Sequence, residues 1–193
     1  MPPKYIRMLE TKRLEELLVG PQSRRRIRAE ELTWVLQSLL DERVPVRRLN
    51  LILEVLLRRP VHPLAAVRAA LASDVVSPYL DHESTLHVIA PAPLLERQIT
   101  RGDFRVLLQE LHPEMERLRN KPFVVTLLCS PGIRFRLRRL LFPLYPELPV
   151  ICWDEIPPGT GINTVGLLRT QADERRQLAL WDQFRLWRAQ CRR

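Results

Sequence analysis

The 193-residue chain carries 31 Lys and Arg against 22 Asp and Glu, a net charge of +9, and 46% of its residues are hydrophobic. That supports one domain or two small ones, and no apolar run approaches the roughly 18 residues that span a bilayer. Met1-Pro2-Pro3-Lys4 lacks the apolar stretch of a signal peptide, so the expectation is a cytoplasmic chain, neither secreted nor membrane-spanning nor wholly disordered.

Residues 5–19 predict a short helix, with Ile6, Leu9, Leu14, Leu17 and Leu18 at helical spacing and Gly20-Pro21 as its stop. A basic linker, Ser23 to Arg28, follows. Over 29–41 the stripe Leu32, Val35, Leu36, Leu39 and Leu40 predicts an amphipathic helix. Residues 47–59 predict a second, facing inward through Leu49, Ile52, Leu53, Leu56 and Leu57 and ended by Pro60. Pro63 opens a third that runs to about Ser73, burying Leu64, Val67, Ala70 and Leu71.

The pattern then changes. Residues 84–90 predict a strand, 91–99 a helix, and 103–120 a longer helix with Asp103 as its N-cap and Pro113 as a candidate kink. Phe123 to Cys129 is apolar on both faces, as in a buried parallel strand. A basic helix over 131–142 and strands over 149–153 and 161–168 complete a βαβ pattern. Residues 171–193 are helical again, with Leu180, Phe184, Trp187 and Cys191 on one side and Trp181 beside them. Two Trp and one Phe so close together need a cover, which makes Leu180, Trp181, Phe184 and Trp187 candidate docking residues. The fold class is mixed α+β: a small helical module, an α/β (βαβ) subdomain and a C-terminal helix. The expected divisions are 1–28, 29–90, 91–168 and 169–193.

Chemistry-bearing motifs are sparse. Cys129, Cys152 and Cys191 are widely spaced, without a CxxC, which disfavours a disulfide framework or zinc site. His62, His82, His87 and His112 read as surface or interface histidines. Pro157-Pro158-Gly159-Thr160-Gly161 imitates a phosphate-binding loop, but Ile162 and Asn163 stand where that loop requires lysine and Ser/Thr. A turn between strands accounts for it. Asp154-Glu155 follows a buried strand, where α/β active sites occur, yet adjacent acids there read as solvated loop residues. No catalytic residue, cofactor, metal or small-molecule substrate is expected. Only Lys4, Lys12 and Lys121 among the 31 basic residues are lysines. Arginine suits bidentate contacts to carboxylate or phosphate, and Arg134, Arg136, Arg138 and Arg139 share one short helix. A basic surface points to acidic partners.

Several stretches, in order, carry a resemblance. Leu36 to Glu54, with its Leu36-Gln37-Ser38-Leu39-Leu40 start, is similar to a stretch of the large export-gate proteins of type III secretion, the flagellar and injectisome proteins of the FHIPEP family. Thr11 to Leu14, Val67 to Leu71, Leu86 to Ile89 with Leu94 to Glu96, Pro122 to Thr126, Arg134 to Leu141, and Leu148 to Ile156 resemble further family segments in the same order. The resemblance covers about residues 9–168. It implies a non-enzymatic part of a cytoplasmic ring, nonameric in the family, that meets other secretion-apparatus proteins and chaperone–substrate complexes. It also implies a place at the cytoplasmic face of the bacterial inner membrane when joined to the family's membrane half. Residues 29–90 would then be a helical subdomain and 91–168 an α/β subdomain. Arg43, Arg47, Arg48, Arg58 and Arg59 become candidate subunit-interface residues. Two other readings stand beside it: a basic nucleic-acid-associated protein, which is not favoured, and an α/β enzyme using Asp154 or Glu155.

Overall fold

The computed structural model describes residues 27–170. The chain divides into two units between Ala70 and Leu71. The predicted N-terminal helix and the tail from 171 onward, with Leu180, Trp181, Phe184 and Trp187, lie outside the described residues.

The first unit holds α1 (Ala29–Asp41), α2 (Leu49–Leu57) and α3 (Pro63–Ala70). Their inward faces follow the sequence periodicity. Leu32, Val35 and Leu39 of α1, Ile52, Leu53 and Leu56 of α2, and Leu64 and Val67 of α3 are buried. Each such side chain stabilises by about 1.5–3 kcal/mol. Helix α3 packs on both others. Its Arg68 is buried too, and its Nη1 donates to Glu42 Oε2 at 3.0 Å, tying α3 to the end of α1. That end is closed by backbone bonds from Arg43 to Leu40 and from Val44 to Leu39. Arg43 therefore occupies the left-handed position, at φ 60°, where glycine is usual. Arg59 sits at the equivalent position after α2, at φ 51°.

The second unit opens with α4 (Ala72–Val76) and a 3₁₀ turn (Ser77–Tyr79). Then follow β1 (Thr85–Pro91), α5 (Pro93–Thr100), α6 (Arg105–Leu118), β2 (Val125–Cys129), α7 (Pro131–Leu141), β3 (Val150–Cys152), a 3₁₀ turn (Trp153–Glu155) and β4 (Gly161–Leu168). The third helix predicted to run to Ser73 is thus two helices, α3 and α4. Pro93 and Pro131 each stand in the first turn of a helix, where a missing N–H costs nothing and the fixed φ is helical. Asp103, the expected N-cap, lies one residue before the observed one: Phe104 is the N-cap, and Asp103 Oδ1 accepts from the Arg105 N–H at 3.3 Å.

The four strands form one sheet in the order β3-β2-β1-β4, and every pair is parallel. Strand β1 lies inside the sheet, with His87, Val88 and Ile89 opposite Val125, Thr126 and Leu127 on one side and Leu86 opposite Ile162 on the other. This corrects the expected boundary at residue 90. Strand 85–91 belongs with the α/β unit, and the helical module ends at Ala70. Pro157 to Gly161 does hold a turn between strands, closed by the Thr160 N–H donating to Pro157 O at 3.3 Å. β3 and β4 occupy opposite edges, so residues 153–160 form a crossover, with Gly159 at φ 86°.

One face of the sheet carries Ile89, Leu127, Cys129, Val150 and Leu168, covered by Leu95 and Ile99 of α5, Leu107 and Leu111 of α6, and Ile133 and Leu137 of α7. The residues between them, Val88, Ala90, Leu128 and Ile151, are buried as well. A sheet buried on both faces explains why β2 reads as a nearly continuous apolar run, interrupted only by the buried Thr126. Leu127 is fully buried at its centre. Replacing Leu127 by Ala should destabilise the chain by about 2–5 kcal/mol, which a urea titration of the full chain measures directly.

Candidate functional site

The C-terminal edge of a parallel sheet is where an α/β enzyme would place its reacting groups. Here that edge is closed by its own hydrogen bonds. Glu96 Oε1 accepts from the Ser130 N–H at 2.7 Å, just past β2. Glu155 Oε2 accepts from the Cys152 N–H at 3.2 Å, at the end of β3. The Ala92 N–H donates to Leu168 O at 2.8 Å, joining the ends of β1 and β4.

The expected pair Asp154-Glu155 is split by this arrangement. Asp154 is exposed, whereas Glu155 is completely buried. Its Oε1 lies 3.6 Å from Arg134 Nε, and Arg134 also donates to Val150 O at 3.4 Å. Arg134 is itself buried, so it does not belong to the solvated basic face that its helix suggested. The sequence signal was available: an arginine at i, i+3 with Ile133 and Leu137 around it, and an acid directly after a buried strand. Removing two charges from water costs several kcal/mol per ion, which good geometry offsets. The pair therefore fixes α7, β3 and the turn after it.

Cys129 and Cys152 stand opposite each other in register. Burial pushes the Cys129 thiol well up, with Cys152 and Glu96 adding to it. Burial, with Glu155 beside it, pushes Cys152 up to about 12. Both remain thiols at neutral pH, and the thiolate is the nucleophilic form. Among the described residues no three His, Cys, Asp or Glu side chains gather as metal ligands.

His87 departs most from its expected surface position. It is buried and stacked on Phe123, with ring centroids 3.9 Å apart. Its Nε2 lies 2.8 Å from Asp81 Oδ2 and its Nδ1 3.1 Å from Asn163 Nδ2. Nε2–H donating to Asp81 and Nδ1 accepting from the Asn163 amide satisfies all of these groups with a neutral ring. Asp81 Oδ1 also accepts from the Thr85 and Glu83 N–H groups at 2.9 Å. The bond from Thr85 and then that from His87 hold the Asp81 carboxyl below its ordinary value of 3.8. The cluster knits the 81–84 turn, β1 and β4 together. It reads as a structural tie.

The five candidate interface arginines of the first unit are all exposed. Arg47 and Arg48 precede α2, while Arg58 and Arg59 follow it. A nine-residue helix separates them by about 1.5 Å per residue. Arg58 pairs with Glu54 at 2.5 Å on the exposed face. Arg43 lies in the turn after α1.

The arrangement in the described residues is therefore two units with tied interiors and arginine-rich exteriors. The FHIPEP family matches residues 7–161 of the sequence. The chain belongs to the FHIPEP family. The flagellar biosynthesis protein FlhA of Bacillus subtilis is 24% identical over 159 residues, covering 72% of this chain and 24% of FlhA. The structure of the Shigella flexneri MxiA protein matches at 25% identity and a TM-score of 0.69, over 81% of this chain and 57% of that one. Nonameric EPEC SctV-C matches at 18% identity and a TM-score of 0.67, over 84% of this chain and 55% of that one, and shares the fold. The FHIPEP chain described here thus spans about a quarter of FlhA and a little over half of the structures it matches. No helix among its described residues is long and apolar enough to cross a membrane.

Two predictions follow from the buried polar ties. Arg134→Met leaves the Glu155 carboxylate buried without its cation and should cost about 3–5 kcal/mol. Adding Glu155→Gln should recover more than half of that loss in denaturant unfolding. For Asp81, the folded value is lowered, so its contribution is fully present above the unfolded value near 3.9 and is lost as pH falls through the folded one. Asp81→Asn should therefore be less stable than the native chain at neutral pH, with the gap closing only below about pH 4. Paired melts across that range read this directly.

Proposed function

We propose that this chain works as the C-terminal, cytoplasmic part of a type III secretion export gate, by subunit packing and by docking secretion partners rather than by catalysis. The observation that carries the reading is the single family match running through both units, from residue 7 to 161. The likeness to MxiA, covering 81% of the chain, supports it. EPEC SctV-C and the EscV cytosolic domain are nonameric, and CdsV of Chlamydia pneumoniae is known in a complex with CdsO. These favour a ring of like subunits here, meeting other parts of the apparatus at the cytoplasmic face of the inner membrane.

Within such a ring the helical module, residues 29–73, supplies most of the contact. Arginines at both ends of α2 suit a head-to-tail interface, in which one surface repeatedly meets a different surface of the next copy. Their partners would be acidic groups on the neighbouring subunit.

Sedimentation velocity at high protein concentration tests this reading. The native chain should associate, and Arg47→Glu with Arg48→Glu should return it to monomer while its circular dichroism is unchanged. A monomer in both cases, or an assembly indifferent to charge reversal, would count against it.

A further inference from the structure

Helices α5 and α7 pack side by side on one face of the sheet, and Arg136 bridges them by donating to Thr100 O at 3.3 Å. Their outward surface has an unusual composition. Helix α7 contains no acidic residue. The single acid of α5, Glu96, is turned to the Ser130 N–H. Glu147, in the loop beyond α7, has a partner of its own. Against this stand Arg97, Arg101, Arg136 and Arg139, all exposed. Alongside them lie Phe135, at 43% exposure, and Phe142, at 49%.

The arginines are also positioned. Arg139 lies over the Phe135 ring at 5.9 Å, and Arg138 over Phe142 at 4.7 Å. Phe135, Arg139 and Phe142 fall at i, i+4 and i+7, one stripe of the helix. A guanidinium resting on a ring keeps its N–H edge free for a carboxylate while losing less freedom on binding. Large exposed aromatics with arginine, free of acid, are the composition of a protein interface rather than of ordinary surface.

We infer that the α5–α7 face is a docking surface for an acidic amphipathic protein segment, its carboxylates meeting the arginines and its aliphatic side chains covering Phe135 and Phe142. Charge complementarity selects this occupant. The chain's own residues beyond 170 carry Arg175, Arg176, Arg185, Arg188, Arg192 and Arg193 against three acids, a net charge of the same sign as the surface, so charge complementarity does not select them. A nucleic acid would also satisfy the arginines, and the oligonucleotide arm of the test separates it from a peptide. The inference does not require the ring reading, since the surface lies wholly in the second unit.

The test uses the full chain and fluorescence anisotropy. The probe is a labelled peptide of about 18 residues built from Glu and Leu, with Leu at every third or fourth position. One control has the same charge without leucine, and another is an oligo-thymidine single strand of about 20 nucleotides. Among the described residues the Arg101 and Arg139 side chains donate no hydrogen bond and form no ion pair, so their reversal leaves the fold intact by circular dichroism. Arg101→Glu with Arg139→Glu should weaken the peptide about tenfold, two exposed charges each turning from attraction to repulsion. Phe135→Ala should weaken the leucine peptide several-fold and leave the leucine-free one unchanged. Equal binding of the two peptides, or indifference to both variants, overturns the inference. So does tighter binding of the oligonucleotide that is lost with the same arginines, which would make the face a nucleic-acid surface.

Discussion

Strand β1 is bonded to a parallel neighbour along both of its edges and buried on both of its faces. A strand so placed cannot be joined to its neighbours by tight turns, because parallel strands need a crossover each time. Helices α5 and α6 supply the first, α7 the second, and residues 153–160 the third, which runs from one edge of the sheet to the other. The position of β1 therefore dictates where every later element goes. It also explains why three helices share one apolar layer over Ile89 and Leu127.

Polar groups inside this architecture serve to fix its loops. Arg134 and Glu155 hold the turn after β3, His87 and Asp81 hold the turn before β1, and Arg68 with Glu42 closes the end of α1. The net worth of such buried pairs is small, because desolvation opposes attraction. Their consequence is geometric. Once these groups are inside, only one arrangement leaves none of them unpaired, and the two Arg–Glu pairs join segments 26 and 21 residues apart in the chain.

Arginine thus takes several roles in one protein. Arg68 and Arg134 are interior partners of carboxylates. Arg43 and Arg59 end helices in a conformation where glycine is usual. Arg117 reaches from α6 to the Val165 carbonyl, at the place where the β1–β4 register slips by one residue. Others lie at the two ends of α2 and on the α5–α7 face. A net charge alone assigns none of these roles, because it counts the charges without saying which are already paired.

Periodicity in the sequence determined the three helices of the first unit, the strand at 125–129 and the mixed fold class, since a single stripe or a nearly continuous apolar run has few other ways to be buried. The ordered segments from Leu36 to Ile156 also sufficed to place the chain in its family, as the match over 7–161 bears out. The pairing of β1 was not legible, because alternation identifies a strand but not its neighbours, and the strand was grouped with the wrong unit. Arg134, Glu155 and His87 were read as surface residues for a related reason. Their partners lie 21 and 6 positions away in the chain, and only the folded sheet brings each group to the partner that makes its burial tolerable. The sequence by itself determined which residues must leave water. The tertiary structure decided which polar groups go with them, since that depends on partners no local pattern specifies.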